Sequence, residues 1–220
     1  PQAMADKRVF LRFEAVQYWA DVYVNGRKAG SHEGGFTPFE IDITDLVNIG
    51  APNELILGVK SRHLFTVNGR TPYGWGSFWG EVISGIWQNV WLIARPQVYI
   101  SDAFVATSVD KRQIKLQLSV TNSSPVPTRV RLNAHVFEAD QPAPGSVPVK
   151  GFTRKHVSLE PGETKTVTIR EPWASPRLWW PDDPHLYVLV TRLYPHDENS
   201  DPLDMLRTRF GFREFTIGPD

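Results

Sequence analysis

The sequence predicts an all-β chain of two successive sandwiches, and three observations predict it. Apolar residues recur at every second position through most of the chain, the period of a half-buried strand. Eighteen prolines and 16 glycines interrupt it at short intervals and leave few stretches long enough for a helix. The alternation breaks at Arg95-Pro96 and restarts at Val98, which divides the 220 residues into domains 1–97 and 98–220.

The first domain reads strand by strand. Val9, Leu11 and Phe13 share one face of a strand over 8–15. Ala20, Val22 and Val24 alternate with Asp21 and Tyr23 over 20–25. Asn25-Gly26 then supplies the two φ > 0 positions of a type I′ hairpin turn, which leads into a strand at 28–33. Gly34-Gly35 breaks that strand. Phe39, Ile41 and Ile43 restart the period against Glu40, Asp42 and Thr44. A short helical turn at 44–47 follows, then strands at 53–61, with Leu55, Leu57 and Val59 on one face, and at 88–93.

Between Ser61 and Ser84 the period is lost. A connection of this length in a compact domain tends to be functional or disordered. This one carries Phe65, Tyr73, Trp75, Phe78 and Trp79, and such aromatic content predicts an ordered loop.

The second domain alternates clearly. Ile114, Leu116, Leu118 and Val120 face one way over 113–121. Val130, Leu132, Ala134 and Val136 do so over 128–137. A proline-rich loop at 141–149 precedes strands at 157–159, 164–169, 186–193 and 207–217. About seven short strands separated by turn signals predict an immunoglobulin-like sandwich, here without a cysteine pair.

Composition excludes several functions. Twenty-four basic and 24 acidic residues cancel, and no basic block stands out in the sequence. That argues against nucleic-acid binding and against a polybasic membrane surface. No apolar run approaches the ~20 residues of a membrane span. The absence of cysteine removes disulfides, thiolate chemistry and cysteine-ligated zinc, but leaves the compartment open. The first residues show no signal-peptide pattern and do not resemble the start of a gene product.

Chemistry is sparse. Hydrolysis by paired carboxylates needs two acids facing a gap of about 5–9.5 Å. Asp182-Asp183 lies between prolines, and its side chains point apart in extended backbone, which predicts a solvated turn. Glu81 is a candidate because it sits in the aromatic loop; an exposed loop carboxylate is the plainer reading. None of the six histidines has metal-ligand spacing. His63, beside Arg62 at the loop's mouth, is the one to test. No phosphate-cradling or nucleophile-elbow motif occurs, and no catalytic, metal or cofactor residue is assigned. Tyr73, Trp75 and Trp79 have two readings: rings that pack on the apolar faces of a sugar, or rings that dock on another domain. Trp179-Trp180 precedes a strand and predicts a core role. Asn122-Ser123-Ser124 matches a glycosylation sequon.

Six segments in order resemble the N-terminal part of family 2 glycoside hydrolases, the group of β-galactosidases, β-glucuronidases and β-mannosidases. They are Val22–Gly26 with Gly30, the run from Gly34 to Thr44, Asn53-Glu54-Leu55, Gly85–Val90, Trp180-Pro181 with Pro184–Tyr187, and Phe210-Gly211-Phe212-Arg213. The resemblance covers nearly the whole chain. It implies a sugar-binding jelly roll whose first strands are missing, then the immunoglobulin-like sandwich, then a barrel carrying an acid/base Glu and a nucleophile Glu. The barrel lies outside this sequence, so the chain by itself is expected to be inactive. Its implied partners are that barrel and a carbohydrate, with Arg62, His63, Tyr73, Trp75, Trp79 and Glu81 on a loop sent toward the barrel mouth. Galactosidase-like members place an acid where Ser61-Arg62-His63 stands here, a departure that weakens that assignment. Missing strands also imply an exposed sandwich edge and homodimers formed through it. Two rival readings stay open: a free-standing carbohydrate-binding module and a structural tandem of sandwiches. A calcium held by backbone carbonyls would leave no trace in the sequence.

Overall fold

The computed structural model describes residues 2–60, 84–139, 145–196 and 200–215. The chain is all-β, with no α-helix among the described residues. It divides into two compact units, Pro1–Arg95 and Pro96–Asp220.

The first unit contains β1 (Arg8–Phe13), β2 (Val16–Gln17), β3 (Trp19–Val24), β4 (Arg27–Glu33), β5 (Phe39–Asp42), β6 (Leu55–Lys60), β7 (Gly85–Ile86) and β8 (Val90–Arg95). Two antiparallel three-stranded sheets, β5–β1–β8 and β4–β3–β6, enclose its core, and β2 pairs with β7. Val9, Leu11 and Phe13 of β1 meet Ala20, Val22 and Val24 of β3 and Ile41 of β5 in one buried cluster. The period-2 pattern is therefore a sandwich pattern: each sheet contributes its apolar face. Asn25 and Gly26 take φ values of 50° and 76°, as a two-residue hairpin with right-handed strand twist requires. Asn25 does more than turn the chain. Its Nδ2 donates to the Leu46 carbonyl at 2.8 Å, and its Oδ1 accepts from the Glu54 N–H at 2.9 Å, which ties the hairpin to the segment after the short 3-10 turn Thr44–Leu46.

Among the described residues this sandwich is uncovered along one side. Both β6 and β8 are edge strands. Leu92 and Val90 of β8 lie opposite the inward Leu11 and Phe13, yet they are 50% and 39% exposed. Leu55 of β6 lies opposite the buried Val24 and is 48% exposed. A cavity of about 340 Å³ opens there, lined by Met4, Val9, Leu11, Val24, Leu55 and Leu92 among others.

The second unit contains β9 (Val98–Ser108), β10 (Gln113–Asn122), β11 (Thr128–Glu138), β12 (Lys150–Gly151), β13 (Lys155–Leu159), β14 (Thr164–Pro172), β15 (Tyr187–Pro195) and β16 (Asp204–Phe210). One sheet runs β14–β10–β9. The other runs β12–β11–β15–β16, with β13 also on β11. Leu116 and Leu118 of β10, Leu132 of β11, and Leu189 and Leu193 of β15 are at most 1% exposed and share one core.

Two expectations change here, and the sequon gains a structural reading. Asn122 of the sequon is fully buried; its Nδ2 donates to the Val126 carbonyl at 2.9 Å and to that of Glu160 at 3.2 Å. It closes a turn and offers no amide to solvent. The last strand is Asp204–Phe210 rather than 207–217. Asp204 begins it by accepting the Ile100 N–H at 2.8 Å. It ends at Gly211, where a Cβ would stand only 3.0 Å from Trp179, and Phe212 turns into the core with no exposure. Trp180, expected in the core, is 58% exposed; its neighbour Trp179 alone packs inward, against Gly211.

Candidate functional site

The residues the sequence singled out as substrate contacts (Arg62, His63, Tyr73, Trp75, Trp79 and Glu81) fall within 61–83 and lie outside the described residues. What the structure does describe is the residues that flank that segment in sequence. β6 finishes at Lys60, opposite Trp19. The chain returns at β7, where Gly85 pairs with Gln17. The flanking residues Lys60 and Gly85 are thus held against Gln17, Tyr18 and Trp19.

This region is a close-packed arrangement of amides and rings. Gln17 is 2% exposed, and its side-chain amide lies so near Gly35 that a Cβ there would stand 1.3 Å from Oε1. Only glycine fits at 35, which gives the Gly34-Gly35 break a steric reason beyond ending a strand. Gly34, at φ +134°, donates its N–H to the Tyr18 carbonyl at 3.0 Å. Trp87 donates its indole N–H to the Gly35 carbonyl at 2.8 Å and takes the edge of Phe36 at 5.7 Å. His32 stacks on Phe39 at 4.0 Å, and Phe39 on Phe13 at 4.9 Å. Burial lowers the pKa of His32 against the opposing charge of Glu33. At the other side, Lys60 stands 5.3 Å over the Trp19 ring, and the Trp19 indole donates to Asp21 at 3.0 Å.

Four acids of this unit, Glu14, Asp21, Glu40 and Asp42, are paired with cations. Glu40 accepts two hydrogen bonds from Arg95, at 2.6 and 2.8 Å, and one from Arg12 at 3.1 Å. The Arg95 hydrogen bonds first, and Arg12 after them, hold its carboxyl below the usual range against the opposing effect of burial. Glu14 is held low chiefly by its hydrogen bond to Arg12, and Asp21 chiefly by Lys28. A general acid in glycoside hydrolysis needs the opposite shift, upward. Among the described residues no acid has a resolved upward shift, and no group of three acids or histidines could hold a metal. The arrangement can brace a loop and present flat rings and amides.

Sequence reasoning missed Gln17, which carries no motif, and it read Gly34-Gly35 only as a break. The one usable signal was the local cluster of glycines and aromatics around 34–36 and 85–87.

The end of the second unit is clamped as well. The Arg213 guanidinium lies 4.7 Å over the Trp179 ring. The Thr107 hydroxyl donates to the Arg213 carbonyl at 2.6 Å. Glu214 accepts the N–H groups of Val109 at 2.7 Å and Asp110 at 3.2 Å, and these amide bonds keep its carboxyl low. A cavity of about 190 Å³ beside them is lined by Trp179, Trp180, Arg213 and Asp110 among others.

Fold and site together define a tandem of β-sandwiches that carries a braced, aromatic platform and no paired free acids among the described residues. Two family models cover it in succession: glycosyl hydrolases family 2, sugar binding domain, over residues 1–96, and glycosyl hydrolases family 2 over residues 98–213. The chain belongs to glycosyl hydrolases family 2. Among curated relatives it is 25% identical over 228 residues to a β-glucuronidase of Formosa agariphila, covering 100% of this chain and 23% of that protein. It is 28% identical over 198 residues to a β-galactosidase of Thermoanaerobacter pseudethanolicus, covering 89% and 25%. A crystal structure of a Bacteroides uniformis β-glucuronidase superposes with a TM-score of 0.79 at 27% identity, covering 97% of this chain and 25% of the other. The chain spans about a quarter of the length of the relatives it matches.

Proposed function

We propose that this chain is the non-catalytic front portion of a retaining β-glycosidase. Residues 1–97 serve as its sugar-binding jelly roll and residues 98–220 as an immunoglobulin-like spacer. Together they hold a catalytic barrel supplied by further chain and direct the Arg62–Glu81 segment to narrow its sugar site. The observation that carries this reading is the pair of family models lying head to tail over a chain that spans a quarter of its relatives. Glu14, Asp21, Glu40 and Glu214 support it, since they are held low by arginine, lysine and backbone N–H groups where a proton donor must be held high. The clamp on Arg213 and Glu214 supports it too: it fixes the direction in which the polypeptide leaves the second sandwich. The apolar side that the described residues of the first sandwich leave uncovered supports further strands completing that domain.

The relatives' names include both an acidic sugar, in the glucuronidases, and a neutral one, in the galactosidases. The parent enzyme's reaction is cleavage of an O-glycosidic bond through a glycosyl-enzyme intermediate. The test is hydrolysis of aryl β-glucuronides and aryl β-galactosides by the purified chain, beside the same chain extended through its downstream coding sequence. The extended protein is expected to turn over one of them and the 220-residue chain neither. Turnover proportional to the concentration of the pure 220-residue chain would overturn the reading. Calorimetric binding of neutral glycans by the short chain would favour the free-standing binding module instead.

A further inference from the structure

The outward face of the larger sheet in the second unit carries arginines beside a small buried apolar cluster of Phe137, Val188 and Val190. Val130, Leu132, Ala134 and Val136 of β11 fill the core, so Arg129, Arg131, Asn133 and His135 point away from it. On β15 the residue opposite Asn133 is Arg192. On β16, Arg207 and Arg209 lie opposite Val190 and Val188. Arg207 and Arg209 are two positions apart on one strand, about 7 Å. Arg192 lies opposite Met205, diagonal to Arg207 and again about 7–8 Å away. Arg207 and Arg209 are exposed, and Arg192 is half-buried.

No carboxylate occupies an outward position on these three strands. Asp204 points the other way and holds the Ile100 N–H. Glu138, opposite the inward Tyr187, holds His185 at 2.8 Å. Among the described residues no acid pairs with Arg192, Arg207 or Arg209. The field of this face registers on His135: burial lowers its pKa first, and the charges of Arg192 and Arg154 lower it further.

We propose that this face binds a linear polyuronate through Arg192, Arg207 and Arg209. A guanidinium fork matches a carboxylate with two parallel hydrogen bonds. Three forks in a row on a sheet suit an extended chain that carries one carboxylate on each successive sugar. A DNA duplex would need more phosphates neutralised than three arginines supply to bind at ordinary salt. The choice of a polysaccharide rests on the glycosidase reading above; the charged face itself does not.

The test is native affinity electrophoresis of the 220-residue chain at low salt, in gels containing polygalacturonate, dextran sulfate or neutral dextran, with a parallel titration of a short DNA duplex. Polygalacturonate is expected to retard the chain and neutral dextran to leave it unchanged. The triple variant Arg192→Gln, Arg207→Gln, Arg209→Gln is expected to lose at least tenfold in apparent affinity. Arg170→Gln, on the exposed side of the other sheet, is expected to lose none. The pair Arg207→Glu, Arg209→Glu, confined to exposed positions, gives the same reading should the triple variant fold poorly. Absence of retardation, equal retardation of the variants, or tighter binding of dextran sulfate or DNA than of polygalacturonate would each overturn the proposal. Turnover of sugar by the short chain would overturn the scaffold reading and leave this one untouched.

Discussion

The two sandwiches are built from the same alternation but differ in closure. In the second, the inward leucines of β10, β11 and β15 are sealed to at most 1% exposure. In the first, inward residues of the same kind on β6 and β8 stay about half exposed beside an apolar cavity. Period-2 patterning assigns a residue to a face. Whether that face is covered depends on a strand elsewhere in the chain or beyond it. Among the described residues, the contrast separates a unit whose apolar core is covered from one with an uncovered apolar side.

The largest expected effect contrasts two truncations of the same side chain. Leu118→Ala removes a fully buried group from the closed core and is expected to cost about 3 kcal/mol, transfer plus cavity. Leu92→Ala, at 50% exposure in the open core, is expected to cost about 1 kcal/mol or less. Urea unfolding followed by two probes, so that each unit's transition is seen, measures both. Equal costs would mean that the open side is sealed in solution and would erase the distinction.

A second effect tests what the open side does when left alone. Unpaired edges at β6 and β8 beside half-exposed Leu55 and Leu92 favour association of the isolated chain. Sedimentation at rising concentration is expected to show self-association. Leu55→Lys with Leu92→Lys is expected to weaken it about tenfold, near 1.4 kcal/mol. A monomer at every concentration would show the exposed leucines to be harmless.

Much of this contrast was legible in the sequence. Asn25-Gly26 announced its hairpin because both residues tolerate positive φ, and Val22 and Ile41 announced their core positions through strict alternation. Gln17 was not legible: its burial follows from the backbone approach of Gly35, a contact with no local signature. Trp180 was misassigned because the pattern cannot say which of two adjacent indoles turns inward. The final strand was placed three residues late because Asp204, a polar residue at its start, is recruited by an amide of β9 more than a hundred residues away in sequence. The arginine face was invisible for a related reason. Arg207 and Arg209 are separated by Thr208, and Arg192 joins them only when β15 and β16 pair, so no basic block stands out in the sequence. The six loop residues expected to touch substrate were named from composition and resemblance, and the described structure reaches only their anchors at Lys60 and Gly85.

The smallest effect concerns the ion network that pins β5 and β8 to either side of β1. Glu40 of β5 bonds Arg12 of β1 and Arg95 of β8, so one carboxylate spans the whole three-stranded sheet. Its folded-state pKa is depressed, with the Arg95 hydrogen bond as the largest cause. A depressed carboxyl contributes stability that is fully present above the unfolded value of about 4.3 and is lost as pH falls through the folded value. The first unit is therefore expected to lose about 1 kcal/mol below pH ~4 through this group, a partly solvated network being worth little more. Glu40→Gln should remove that part of the acid slope while leaving the second unit's transition in place. The comparison of slopes between the two units at pH 3–6 is the measurement. An unchanged slope in the first unit would show that Arg12 and Arg95 hold Glu40 without favouring its charged form, leaving the sheet's cohesion to the apolar contacts of Val9, Leu11 and Phe13 alone.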